Sequence, residues 1–265
     1  MVAISLHSIV PVRAEARESA EQSTQMLFGE LCEIINHPSE ITNSKWTHVR
    51  LDSDGQEGWV DAKMVTLMSE TECTTYRQAL ETAAMVAFPM TYAVSENNGQ
   101  TIPLTAGTRL TNYQNGRFEV LGVGFRIDPN MVITAPMELN QDSLLQAVRF
   151  FINVPYLWGG KNALGMDCSG FTQVIMSLFG KQLLRNASEQ ATQGTPVADL
   201  QQAQAGDLAF FDHEDGKISH VGILIDNERI IHCSGRVKVE KIDEKGIYNA
   251  EQGAYSHHLV KLTKV

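Results

Sequence analysis

The two halves of the chain follow different periods. Over residues 1–137 the apolar positions come in short β-rich runs: Ile4–Val12, Leu31–Ile35, Trp46–Leu51 and Gly58–Val60. Turn residues such as Asp52-Ser53-Asp54-Gly55 break them. Short runs with such punctuation predict small β-barrels or sandwiches. One segment, Thr74–Phe88, has helical spacing and stops at Pro89, so it predicts a helix between two β-rich lobes, about 1–70 and 88–138. The lobes echo each other. Leu27-Phe28-Gly29-Glu30-Leu31 opens a strand in the first and Leu104-Thr105-Ala106-Gly107-Thr108 in the second. Each leads to an aromatic-anchored strand, Lys45–Leu51 and Arg117–Leu121. The echo suggests two copies of one small barrel.

Near residue 140 the period changes. Leu144, Leu145, Val148, Phe151 and Ile152 lie on one face of a helix over Asp142–Asn153, with Asp142 as its N-cap. Phe171, Val174, Ile175, Leu178 and Phe179 predict a second helix, from near Cys168 to Gly180. Strand-like runs follow at Leu208–Phe211, His220–Ile225 and Arg229–Cys233. Helices followed by antiparallel strands make an α+β domain. No run approaches the roughly 20 apolar residues of a membrane-spanning helix.

The formal charge of the 265 residues is −10. Residues 1–138 hold 9 basic and 17 acidic side chains, so the acidity lies in the first half. That balance argues against nucleic acid or an anionic membrane as partner. The start, MVAISLHSIVPVRAEA, has no Lys or Arg ahead of its apolar stretch and reads as a first β-strand rather than a signal peptide. Cys32, Cys73, Cys168 and Cys233 form no CxxC pair and no zinc-ligand spacing. The expectation is a monomer in a reducing, cytoplasmic compartment, with no metal and no cofactor.

Cys168, in Met166-Asp167-Cys168-Ser169-Gly170-Phe171, falls in the first turn of the second helix or just before it. There the helix dipole and unpaired N–H groups stabilise a thiolate and an oxyanion. By position alone a small buried hydrophobe is the plainer reading. Two histidines add weight to the catalytic reading. If Asp226-Asn227-Glu228 is a three-residue turn, Ile225 pairs with Arg229 and Gly222 faces His232. His220 then lies diagonal to His232 on the same sheet face. A two-residue turn would separate them. One ring can take the thiol proton and the other can orient the first; two unrelated polar residues on a half-buried sheet is the plainer reading. Cys233 then points to the opposite face, into the core. Gly159-Gly160 either lets the chain pass close to a substrate or is only a turn. Asp207 reads as a turn residue, His213, His257 and His258 as solvated, and the charge-alternating run Lys238–Lys245 as surface.

Five segments in order carry a specific resemblance: Asp167-Cys168-Ser169-Gly170-Phe171, Arg185-Asn186-Ala187-Ser188-Glu189-Gln190, Gly206-Asp207-Leu208-Ala209-Phe210-Phe211, Ser219-His220-Val221-Gly222-Ile223 and Ile231-His232-Cys233-Ser234-Gly235. Together they resemble the NlpC/P60 family of papain-like cysteine peptidases over about residues 140–265. The resemblance implies Cys168 as nucleophile, His220 as general base, His232 as the orienting third member and Tyr156 beside the oxyanion. Thr24–Glu30, Trp46 and Gly58-Trp59-Val60 are similar to bacterial SH3-like (SH3b) domains, in particular the first lobe of the γ-D-glutamyl-L-diamino acid endopeptidases. That subgroup often carries an aromatic just before the Gly-Trp step, where this chain has Gln56 and Glu57.

The implied architecture is two small SH3-like β-barrels, residues 1–70 and 71–138 (the latter with a helical linker), before a catalytic domain at 139–265. The implied substrate is a murein peptide with a free N-terminal L-Ala, its amine held by Glu30, Asp167, Ser169 and nearby Ser188. The implied reaction is hydrolysis of the D-Glu–diamino acid bond in the recycling of wall peptides. An amidase or acyltransferase on the same Cys-His scaffold, and a non-catalytic SH3b cell-wall binding protein, are the alternatives.

Overall fold

Val10 and Val12 point inward from one strand and Val49 and Leu51 from another, and this alternation builds the first barrel. The computed structural model describes residues 1–35, 45–212 and 216–265. They form two compact units, Met1–Pro136 and Met137–Val265. Among the described residues no helix is long and apolar enough to cross a membrane.

The first unit opens with β1 (Val2–Ile4), β2 (Ile9–Arg13), β3 (Gln22–Leu27), β4 (Leu31–Ile34), β5 (Trp46–Leu51), β6 (Glu57–Asp61) and β7 (Thr66–Met68). They pair in the order β3-β2-β6-β5-β4-β1-β7. After helix α1 (Glu70–Glu81) come β8 (Ala84–Val86), β9 (Met90–Ser95), β10 (Thr101–Thr105), β11 (Arg109–Leu110), β12 (Arg117–Val120), β13 (Val123–Ile127) and β14 (Val132–Ile133). Their ladders run β10-β9-β13-β12 and β11-β8-β14, the same order with one break.

The duplication extends to single hydrogen bonds. Gly29 N–H donates to Ser5 O and Ser5 N–H to Glu30 O; in the second copy Gly107 N–H donates to Val86 O and Val86 N–H to Thr108 O. Each copy also enters its last strand through a 3-10 turn, capped by Asp61 in one and Asp128 in the other. The echoed segments close one strand and turn into the next, whereas the sequence suggested that they open strands. Gly29 and Gly107 sit at φ +79° and +88°, which favours glycine there.

Two further expectations shift. Ile4–Val12 is two strands, β1 and β2, rather than one. The predicted helix over Thr74–Phe88 lies earlier. Ser69 and Glu72 form a reciprocal capping box at its start, and Ala84–Val86 leaves the helix to pair with β11 and β14. Ala3, Val10, Met26 and Val49 fill the first barrel. A second core cluster draws on both copies, with Phe28 packed edge-on against Phe118 and Phe125.

The second unit begins with α2 (Gln141–Val148). Its cap is Asn140, not Asp142, because Asn140 and Ser143 bond reciprocally and start the helix two residues earlier. Next come β15 (Lys161–Asn162), β16 (Gly165–Met166), α3 (Cys168–Leu178), α4 (Ala187–Gln190) and β17 (Thr195–Val197). The chain ends with β18 (Leu208–Asp212), β19 (His220–Leu224), β20 (Arg229–Ser234), β21 (Arg236–Asp243), β22 (Gly246–Asn249) and β23 (Ala254–Lys264). Strands β18 to β22 pair in sequence, and long β23 pairs with both β18 and β22, so the six close on themselves. Nearly every residue of α3 is buried, and the helix contacts β19 and β20. Helices on an antiparallel sheet make this unit α+β, as the sequence predicts.

Candidate active site

Asp167 decides where α3 begins. Its Oδ1 accepts from Gly170 N at 2.7 Å, an N-cap that makes Cys168 the first helical residue. Gly170 has no alternative there: a Cβ would sit 2.2 Å from Gly160 O. The Gly159-Gly160 step is therefore a packing surface for α3. The Asp167 carboxylate also receives Gly159 N–H and the Ser169 hydroxyl, and it pairs with Arg185 at 2.5 Å (Nη2–Oδ2) and 3.0 Å (Nη1–Oδ1). Arg185 is 1% exposed and also donates to Ser169 Oγ. Five hydrogen-bond donors converge on the Asp167 carboxylate. Gln190 braces the same helix through Ser169 O and Thr172 Oγ1, while Ser188 is exposed on α4.

The sulfur of Cys168 lies against the Val221 amide, next in the chain to His220. Burial, and then the Asp167 charge, push its thiol up to about 11; the Val221 and Ser169 amides and Arg185 pull the other way. Desolvation thus outweighs the amides at the helix start, which pull the thiol the other way. A proton acceptor must therefore work with this thiol.

Ile225 N–H donates to Arg229 O, and Gly222 pairs with His232, which is the three-residue turn read from the sequence. Gly222 makes room for the ring, since a Cβ would lie 2.9 Å from His232 Cβ. His220 Nε2 and His232 Nδ1 stand 2.8 Å apart, both rings buried. Beyond them, Glu240 Oε2 is 2.8 Å from His232 Nε2 and 3.1 Å from Lys238 Nζ. Burial lowers His232. Burial also raises Glu240, but its bonds to His232 and Lys238 outweigh that and hold the carboxyl below its usual range. Tyr156 is half-buried, and burial followed by the Cys168 charge keeps its phenol protonated, a hydrogen-bond donor. Cys233 points the other way, its thiol donating to Met166 O. Asp207 is a buried turn residue whose Oδ2 accepts from Gln204 N.

Two expectations are corrected here. The run Lys238–Lys245 is not plain surface. Lys238 lies opposite His232 across β20–β21, so Glu240 falls diagonal to the ring. The two-residue counting that places His220 would have found it. Nor is His257 solvated: its ring stacks on His220 at 4.1 Å between centroids, and its Nδ1 lies 2.8 Å from Ser256 Oγ. That contact depends on β23 closing the barrel, for which the local sequence gives no signal. His258 faces Asp212 and stays largely exposed, and His213 lies outside the described residues. Truncation of His257 to alanine is expected to lower kcat about three- to tenfold, the value of one aromatic contact, while His257→Phe should stay near wild type; steady-state kinetics checks both.

A thiol at a helix start, set against a buried row of imidazoles on an adjoining antiparallel sheet, defines a papain-like cysteine hydrolase. Comparison with known proteins agrees. Residues 153–255 match the NlpC/P60 family, and residues 12–64 match the bacterial dipeptidyl-peptidase Sh3 domain. The chain is 31% identical over 225 residues to the gamma-D-glutamyl-L-lysine dipeptidyl-peptidase of Bacillus subtilis, covering 79% of this chain and 71% of that one. It is 35% identical over 105 residues to a probable endopeptidase p60 of Listeria innocua, covering 39% of this chain and only 22% of the relative. A crystal structure of an NlpC/P60 family protein from Bacillus cereus superposes with a TM-score of 0.79 at 18% identity, covering 100% of this chain and 99% of that one. The chain belongs to the NlpC/P60 family of cysteine peptidases.

Proposed function

We propose that the protein hydrolyses the γ-D-glutamyl–diamino acid bond of murein peptides that begin with a free L-Ala, in the recycling of wall peptides. The observation that carries this reading is the 2.8 Å contact between His220 and His232, beside the strand amide that touches the Cys168 sulfur. The relative whose name specifies a γ-D-glutamyl-L-lysine bond supports the bond class. The proposed setting is cytoplasmic, which suits a chain whose four cysteines are all free thiols.

In this mechanism His220 takes the Cys168 proton as the sulfur attacks the γ-carbonyl carbon of D-Glu. Amides at the start of α3 and the Tyr156 phenol receive the oxyanion. Collapse of the tetrahedral intermediate breaks the C–N bond, and the imidazolium of His220 protonates the departing amine. Water, deprotonated by His220, then attacks the thioester, releasing L-Ala-D-Glu and the thiol. His232 holds the His220 ring in place throughout.

For the free amine the proposed receptors are Glu30, Asp167, Ser169 and Ser188. Products from L-Ala-γ-D-Glu-L-Lys and its diaminopimelate counterpart, separated by mass spectrometry, test the bond. L-Ala-D-Glu plus the free diamino acid is expected; cleavage elsewhere, or acyl transfer to a second peptide, would instead give the amidase or acyltransferase reading. Loss of one partner from a buried charged hydrogen bond costs about 2–5 kcal/mol, so the N-acetylated tripeptide should be cut at least about 30-fold more slowly. Glu30→Gln should narrow that ratio. Equal rates on the two peptides would remove the free-amine requirement and leave the thiol chemistry standing.

A further inference from the structure

We propose that Glu240 is the fourth member of the catalytic row, a positioning residue that fixes the tautomers of both histidines so that His220 Nδ1 receives the thiol proton. The inference rests on the Cys168–His220 reading above. Its premises are geometric. Glu240 Oε2 lies 2.8 Å from His232 Nε2, and a carboxylate can only accept, so Nε2 carries the hydrogen. Burial lowers His232 and so favours its neutral form, and a neutral imidazole has a single N–H. Its Nδ1 is therefore an acceptor. The atom 2.8 Å away, His220 Nε2, must be the donor. A neutral His220 then has only Nδ1 as a base.

Reversing the first assignment reverses the rest. With an N–H at His232 Nδ1, His220 Nε2 must accept and His220 Nδ1 must carry the hydrogen. The thiol then faces a donor and has no acceptor for its proton. Lys238, 3.1 Å from the same carboxylate oxygen, favours the ionised form that prevents this. Glu240 is 9% exposed on its side chain, so water competes little for the interaction. A buried carboxylate behind a catalytic imidazole serves the same end in serine hydrolases; here it acts one ring further back.

Two variants and one spectroscopic measurement test this. In wild-type protein, long-range 15N–1H spectra should show both His220 and His232 protonated at Nε2. Glu240→Leu should lower kcat about 10- to 100-fold with KM within about twofold, and should give His232 a mixed tautomer. Glu240→Gln keeps an oxygen that can accept from His232 and should recover most of kcat. A folded Glu240→Leu protein with wild-type kcat would overturn the proposal, and so would a wild-type His232 protonated at Nδ1. If Glu240→Leu does not fold, the wild-type tautomers and Glu240→Gln decide alone. Failure of the underlying reading looks different: a Cys168→Ala protein would keep its turnover, whereas the tautomers are read without substrate.

Discussion

Cys168→Ala is expected to reduce turnover of L-Ala-γ-D-Glu-L-Lys about 10^5- to 10^6-fold, the scale of losing a nucleophile, while leaving peptide binding nearly unchanged. The side chain is small and buried, so the change removes the reacting atom and little else. His220→Ala should come close to the same loss. His232→Ala should cost about one to two orders of magnitude less, because it orients the base and does not itself take the proton. The raised thiol adds a signature in pH. With His220 gone, only hydroxide can make the thiolate, and the thiol has been pushed up to about 11. The residual rate of His220→Ala should therefore rise about tenfold per pH unit across the range where the protein stays folded below that value, while the wild-type rate levels off earlier. Stopped assays from pH 6 to 10 read both. Wild-type turnover in Cys168→Ala would end the cysteine mechanism.

The features the sequence makes legible are local ones. Strands β18, β19 and β20 are short apolar runs with clear punctuation, and the register between β19 and β20 follows once the turn at Asp226–Glu228 is counted. That count alone brings His220 and His232 together. The start of α3 is legible as well, because Asp167 is a strong cap. The misplaced elements fail for a common reason. Ala83–Phe88 is a short apolar run that fits a helix end or a strand, and only its partners β11 and β14 decide. His257 reaches His220 through the closure of a barrel, a pairing between distant segments. Glu240 differs. It was reachable by the same register argument, but its alternating charges look like a solvated face, and a carboxylate is seldom buried unless something pairs with it.

Arg185 is the least legible residue of the site and carries the second large prediction. Nothing in its neighbourhood marks it as buried, yet it is 1% exposed and joined to Asp167, 18 residues earlier, by two hydrogen bonds. Removing one partner of a buried ion pair leaves the other uncompensated, at a cost of about 3–5 kcal/mol. Arg185→Met keeps the stem and removes the charge, so it should destabilise the catalytic unit by about that amount. Asp167 would keep the Gly159 and Gly170 amides and the Ser169 hydroxyl, which places the expectation at the lower end of that range. Asp167→Asn in the same background should restore part of the loss, since the pair is then absent rather than broken; a double-mutant cycle measures how much. Calorimetry reads the effect: Arg185 lies in Met137–Val265, so the transition that melts this unit should move to lower temperature. Activity should fall further than stability alone dictates, because the same carboxylate sets the first turn of α3 and with it the position of the Cys168 sulfur. An Arg185→Met protein as stable and as active as wild type would show that the α3 amides and Ser169 suffice to hold Asp167, and that the guanidinium contributes nothing measurable to the site.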